Sequence, residues 1–462
     1  MPMKFEHTVN VLETTDLASK RHPKGLATLF FTELWERFSY YGMRAILVLY
    51  MITPVTAGGL GFDIVAATSL YGTYTMSVYF TNLPGGFIAD RLLGARLSVL
   101  IGGIIIACGH FSMIFHSLPF FYTGLVLISL GTGLLKPNIS TMVGSLYEKS
   151  DPRRDSGFSI FYMGINIGAV LAPLVCGYFA QGEGFKQLLV SWGIDPTSSW
   201  HWGFGAAGVG MTLGLVVYLL QRHVLSHVGN RVRRTDTTKA SVPREPITPE
   251  EWRRVGVVFI FFVFTALFWS AYEQKGASLN LFALKLVRTE AFGWSFPSSW
   301  LQSLTAFFVI GLAPLFSMLW VKLGHRQPSS PAKFSFGLLF IGLGYVLLIP
   351  ACALTAAGKI SPFWLVGLYF LEVVGEMCLS PVGLSTVTKL APAKLLGMMM
   401  GVWFLASALG NKLAGYFGGF FIAENPERLM TLYGSIAVGL LIASGVLALL
   451  TPTIRKLMGG VR

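Results

Sequence analysis

Twelve apolar runs, each near or above the roughly 20 residues that an α-helix needs to cross a bilayer, constrain this chain more than any other feature of it. They fall near residues 25–52, 66–89, 97–115, 119–147, 157–181 and 203–221, and again near 255–284, 299–321, 333–353, 361–388, 395–422 and 430–451. In hydrocarbon the backbone N–H and C=O groups must be satisfied within the segment, so runs of this length fold as helices. The chain reads as an all-α polytopic membrane protein, with six spans on either side of a polar linker. Only 12% of its 462 residues are charged, about half the share found in soluble domains, and the mean hydropathy is +0.62. The division that follows is a segment 1–24, a bundle 25–221, a linker 222–254, a bundle 255–451 and a tail 452–462. Residues 1–24 lack the short apolar core and small-residue cleavage site of a secretory signal, so the first span is expected to direct insertion.

Charge sets the orientation. With alternate loops on alternate sides, 25 of the 35 Lys and Arg residues fall on the side of the termini and linker, and five on the other: Lys186, Lys285, Arg288, Lys359 and Arg428. The positive-inside rule then puts both termini in the cytoplasm. The net charge of +13 is accounted for by these short loops, so nucleic acid is excluded as a partner. Within the linker, read as a cytoplasmic tether, Thr-Pro-Glu-Glu at 248–251 suits the start of a surface helix with a threonine N-cap and proline at the first helical position.

The first span contains ELWERFSYYGMR, residues 33–44, which places two carboxylates and two guanidiniums at membrane depth. At about 100° per residue, Glu33, Glu36, Arg37, Tyr40, Tyr41 and Arg44 share one face and Leu34, Trp35, Phe38 and Ala45 the other. A charge at the centre of a membrane helix costs on the order of 3 kcal/mol, so this face belongs against a bundle interior or water cavity. Two readings are open: a solute or proton pathway, or a buried ion-pair cluster that fixes helix register. Further polar groups lie at depth on other spans: Lys136 in GTGLLKPNIS, Asn166 in FYMGINIGAVLAP, Glu273 in FWSAYEQKGASLNLFA, and Glu372 with Glu376 in LEVVGEMCLSP. Lys136 has no acidic neighbour in sequence and needs a partner from another helix, a substrate or water.

Four cysteines, Cys108, Cys176, Cys352 and Cys378, sit in apolar runs without metal-ligand spacing, and no Walker-type GxxxxGK[ST] is present. No metal, cofactor or ATP is expected, and the scatter of single polar groups over five spans argues against an enzyme. A channel would more naturally repeat one pore-lining residue type, whereas mixed acids and bases suit ion pairs that form and break. LGAR in the loop after span 2 recurs as LGHR after span 8. Both halves carrying versions of one loop fits parallel six-helix repeats around a central cavity.

GGFIADRLLGAR at 85–96 is similar to the loop pattern of the major facilitator superfamily. ELWERFSYYG resembles the ExxERFxYY signature of the proton-dependent oligopeptide transporter (POT/PTR) family, bacterial type, and GTGLLKPNIS, FYMGINIGAVLAP and GEMCLSPVGLS resemble its motifs on helices 4, 5 and 10. The resemblance implies a major facilitator fold of twelve helices in two six-helix halves. It also implies a symporter driven by protons alone that imports di- and tripeptides by alternating access across the plasma (inner) membrane, with no obligate protein partner. A facilitator for another small solute, a drug or an anion, is the closest rival. By matching positions, Arg37 and Lys136 receive the peptide carboxylate and Asn166 and Glu376 its ammonium, while Tyr40, Tyr41, Tyr79, Trp269 and Trp403 line the cavity. Thr305, in WLQSLTAFF, stands where the family pattern has an asparagine. Proton coupling falls to Glu33, Glu36, Arg37 and Glu273. The implied gates are Arg44 with Glu273 on the outside and Lys136 with Glu376 on the inside.

Overall fold

The computed structural model describes residues 21–148, 151–226, 228–229, 247–291, 293–392 and 395–459. The amino-terminal segment before residue 21 and most of the linker lie outside the described residues. The N-terminal half consists of α1 (Lys24–Ile52), α2 (Ile64–Phe80) with α3 (Asn82–Ile88), α4 (Ala95–Ser112), α5 (Leu118–Ser145), α6 (Arg154–Gln181), the short α7 (Glu183–Ser191) and α8 (Ser199–Leu220). The C-terminal half consists of α9 (Pro249–Tyr272) with α10 (Ser278–Leu286), α11 (Ser303–Leu323), α12 (Ser330–Leu354), α13 (Phe363–Leu390), α14 (Leu396–Gly418) and α15 (Pro426–Leu457). Counting α2 with α3 and α9 with α10 as one span each, and α7 as a connection, the described residues form twelve helical spans, six in each half.

Local chemistry explains the less regular places. Pro137 in α5 has no N–H to give the Gly133 carbonyl, and Gly85 of α3 packs directly on that oxygen, where a Cβ could not fit. Thr81, at the α2–α3 junction, donates its hydroxyl to the Ser129 carbonyl of α5 at 2.9 Å. Gly94 and Gly324, the glycines of LGAR and LGHR, have φ of 77° and 48°, the left-handed region in which glycine is favoured. Thr248 caps α9 through a reciprocal capping box with Glu251, and Pro249 opens the helix. That helix runs on unbroken into the span, so the membrane helix starts inside the stretch read from sequence as linker. At the other end α15 continues to Leu457, past the apolar run that ends near 451.

The two halves meet along three seams. Gly72 of α2 and Gly415 of α14 let the backbones touch: a Cβ on Gly72 would sit 2.9 Å from the Gly415 Cα. Ser303 at the start of α11 donates to the Val170 carbonyl of α6 at 2.8 Å. Between α1 and the C-terminal half, Asn280 of α10 and Gln302 both donate to the Ala45 carbonyl, at 2.9 and 3.2 Å.

Candidate functional site

The charged face of α1 is turned inward. Glu33, Glu36, Arg37 and Arg44 are each no more than 3% exposed. Arg37 is held by both acids of its own helix: Nε lies 3.3 Å from Glu33 Oε1, Nη2 donates to Glu36 Oε1 at 2.7 Å, and Nε also pairs with Glu36 Oε2. The i, i+4 spacing of Glu33 and Arg37 brings the first pair together. Tyr40 lies between the two guanidiniums, with Arg37 at 5.3 Å and Arg44 at 5.8 Å from its ring centroid, and Tyr41 meets it edge to face at 5.2 Å.

Arg44 leaves its own helix for its partners. It forms an ion pair with Glu273 of the C-terminal half, and its Nε donates to the Tyr71 hydroxyl of α2 at 2.5 Å. Glu273 opens the 3-10 turn Glu273–Gly276 that divides α9 from α10, so the break in the span sets the carboxylate against α1. Gly276 in the same turn packs on the Tyr71 hydroxyl, where no side chain could follow.

Lys136 and Glu376 are not paired with each other. The Lys136 ammonium sits 4.5 Å from the Tyr79 ring centroid, within the electrostatic reach of Arg37, Glu36 and Glu33. Glu376 accepts a hydrogen bond from the Tyr272 hydroxyl at 2.5 Å. Lys275 rests on the face of Tyr272, its ammonium 3.5 Å from the ring centroid, with Glu376 and Glu372 as its acidic neighbours.

Of the remaining expected residues, Asn166 donates its amide N–H to the Tyr162 carbonyl at 2.9 Å, which leaves Oδ1 as the group able to accept from a ligand. Thr305 gives its hydroxyl proton to the Gln302 carbonyl at 3.0 Å, so toward a ligand it offers lone pairs only. Trp269 stands at right angles to Tyr272 at 5.1 Å. Trp403 lies against Phe334 and Gly383. His110 is fully buried with neither ring nitrogen bonded. Among the described residues no group of three His, Cys, Asp or Glu side chains could hold a metal ion.

Sequence reasoning passed over Tyr71 and Tyr272, which hold Arg44 and Glu376, and gave Lys275 no role. Tyr71 and Tyr272 sit in ordinary apolar helix sequence, so only the fold reveals that their hydroxyls meet charges. Lys275 did carry a signal, being one of five basic residues inside the spans.

Two six-helix bundles that enclose charged groups on facing helices make a membrane transporter of the major facilitator type. The model of the POT family matches residues 96–242 and 238–431, and the chain belongs to that family. It is 38% identical over 502 residues to the peptide transporter YePEPT of Yersinia enterocolitica subsp. palearctica, covering 95% of each chain. It is 33% identical over 515 residues to a di-/tripeptide transporter of Lactococcus lactis subsp. cremoris, covering 98% of this chain and 99% of the relative. Among solved structures, a mutant of peptide transporter POT in complex with alafosfalin superposes with a TM-score of 0.85 at 40% identity, covering 95% of this chain and 96% of that one. The protein is a transporter, not an enzyme.

Proposed function

We propose that this protein is a proton-coupled symporter that imports di- and tripeptides by alternating access, in the inner membrane with both termini in the cytoplasm. The observation that carries the reading is the opposite state of two ion pairs that can each bridge the halves: Arg44 is joined to Glu273, while Lys136 and Glu376 stand apart on aromatic partners. A carrier that opens to one side at a time needs two closures that are never open together. With the positive-inside orientation, the made pair closes the outside and the unmade pair leaves the inside accessible.

In this reading Arg37 and Lys136 take the peptide carboxylate, charge-assisted bonds suited to that group. Asn166 Oδ1 and Glu376 take the ammonium, with Thr305 adding a weak acceptor. Tyr40, Tyr41, Tyr79, Trp269 and Trp403 form walls that accept many side chains without selecting one. Coupling follows from Arg37 being already engaged by Glu33 and Glu36. A peptide carboxylate that reaches it displaces one of them, and a displaced, buried carboxylate neutralises by taking a proton. Glu273 completes the proton-coupling set, and the proton gradient is the only energy source.

The test is uptake of a labelled dipeptide into proteoliposomes with and without an inward proton gradient, competed by di- and tripeptides, free amino acids and inorganic anions. Accumulation only with the gradient, blocked by peptides alone, is the expected result. Competition by an anion or a drug instead would make the protein a facilitator of that solute.

A further inference from the structure

Glu372 of α13 has no part in the cycle described so far. It is 0% exposed, and neither carboxylate oxygen has a hydrogen-bond partner. The groups that bear on it are Tyr369 and Glu376 from its own helix, Tyr345 from α12, and Tyr272 and Lys275 from the end of α9 and the turn that follows. The Tyr345 hydroxyl lies beside it, but its single proton is donated to the Ala271 carbonyl at 2.8 Å. What Tyr345 can present to Glu372 is therefore an acceptor lone pair. Lys275, the one cation among these groups, is occupied on the Tyr272 ring and makes no ion pair with either acid. An ionised carboxylate at this place has no bonded donor, and the one nearby cation, Lys275, is held on the Tyr272 ring and not paired with it, so a buried group in that position neutralises instead. A carboxylic acid fits, because its O–H can point at the free lone pair of Tyr345.

We propose that Glu372 is a second proton-carrying site of the transport cycle, and that losing its proton draws Lys275 from the Tyr272 ring and the Tyr345 hydroxyl from Ala271. The proton passes to water on the side where Lys275 is half-buried, and the charge left on Glu372 is matched by the Lys275 ammonium and bonded by the Tyr345 O–H. Both contacts that are given up lie at one place: Ala271 and Tyr272 are the last two residues of α9, immediately before the turn that carries Glu273. Tyr272 also holds Glu376. Deprotonation of Glu372 thus acts on the break in the α9–α10 span, the element that supplies Glu273 to Arg44.

The inference rests on the proton-coupled reading above, and two measurements separate its failure from the failure of that reading. In proteoliposomes, the proton-to-peptide ratio for an uncharged dipeptide, read from the reversal potential, falls by one proton in Glu372→Gln and is retained in Glu372→Asp. In the wild-type protein near neutral pH, infrared difference spectroscopy shows a carboxylic-acid C=O stretch that is lost in Glu372→Gln and shifts in Tyr345→Phe, a variant that keeps the ring and its packing. An unchanged ratio in Glu372→Gln, or a wild-type spectrum whose acid band neither variant alters, overturns the inference. If Glu372→Gln fails to fold, the Tyr345→Phe spectrum decides alone. Wild-type protein that shows no proton-coupled peptide uptake sinks the transport reading, while the infrared arm still reports whether Glu372 holds a proton.

Discussion

Arg44 and Glu273 meet across the halves of this molecule, whereas Lys136 and Glu376, the pair proposed to close the other end, do not meet. Arg44 and Glu273 are joined, fully buried and backed by Tyr71, whereas Lys136 and Glu376 each rest on a tyrosine of their own half, Tyr79 and Tyr272. The Arg37 cluster is a third arrangement, with both acids on the same helix as the base. A pair within one helix keeps its geometry however the halves move, so it is suited to being perturbed by ligand or proton. A pair between halves is made or broken by the movement itself, and when broken it needs substitute partners to limit the cost of an exposed or unpaired charge. The tyrosines provide these: a cation can lie on a ring face and a carboxylate can accept from a phenol.

Breaking the joined pair has the largest expected effect. Glu273→Gln leaves Arg44 buried without its counter-ion, a loss of about 3–5 kcal/mol, enough to move a balanced equilibrium almost wholly to forms open at that end. Labelling of a cysteine placed near the outer mouth by an impermeant reagent increases in the variant; unchanged or lower labelling would mean that Arg44–Glu273 is not a closure.

Glu36→Gln comes next, since Arg37 keeps Glu33. Uphill uptake driven by a pH gradient is lost while counterflow exchange persists, and Glu33→Gln behaves alike. If both variants still concentrate peptide, the proton is carried elsewhere, with Glu273 and Glu372 the remaining carboxylates to test.

At the unmade pair, Lys136→Ala removes one charge-assisted contact to the peptide carboxylate, worth about 1.5–3 kcal/mol. Dipeptide affinity falls by about 10- to 100-fold by that measure, while a peptide analogue without a free carboxylate is affected less. Equal affinity for both ligands in wild type and variant would remove Lys136 from the site.

The glycine seam gives a smaller effect, tied to the same comparison. Gly72→Leu forces the backbones of α2 and α14 apart where a Cβ already meets Gly415, an overpacking cost of about 1–3 kcal/mol. Thermal stability in detergent falls, and the outer-mouth cysteine labels faster. Thr305→Asn is the mildest change, adding a side-chain amide able to accept as well as donate, worth about 0.5–1.5 kcal/mol. Peptide affinity improves for ligands with a free amino terminus and not for N-acylated ones.

The sequence by itself determined what depends on neighbours along the chain. The apolar runs placed the spans to within a few residues, the 100° period put Glu33, Glu36, Arg37, Tyr40, Tyr41 and Arg44 on one face, and Thr248 with Pro249 marked the start of α9. The Glu33–Arg37 pair was legible in the same way, because a spacing of four residues stacks the two side chains on one helix face. The ELWERFSYYG, GTGLLKPNIS, FYMGINIGAVLAP and GEMCLSPVGLS motifs were sufficient to indicate the family. What only the tertiary structure decided are the meetings between helices distant in sequence: that Arg44 is joined to Glu273, that Lys136 lies on the Tyr79 ring and Glu376 accepts from Tyr272, and that Tyr345 turns its proton away from Glu372. Helix periodicity fixes which face a side chain occupies, but the depth and rotation at which two helices face each other come from packing such as Gly72 on Gly415, and those two quantities select the partner of each charge.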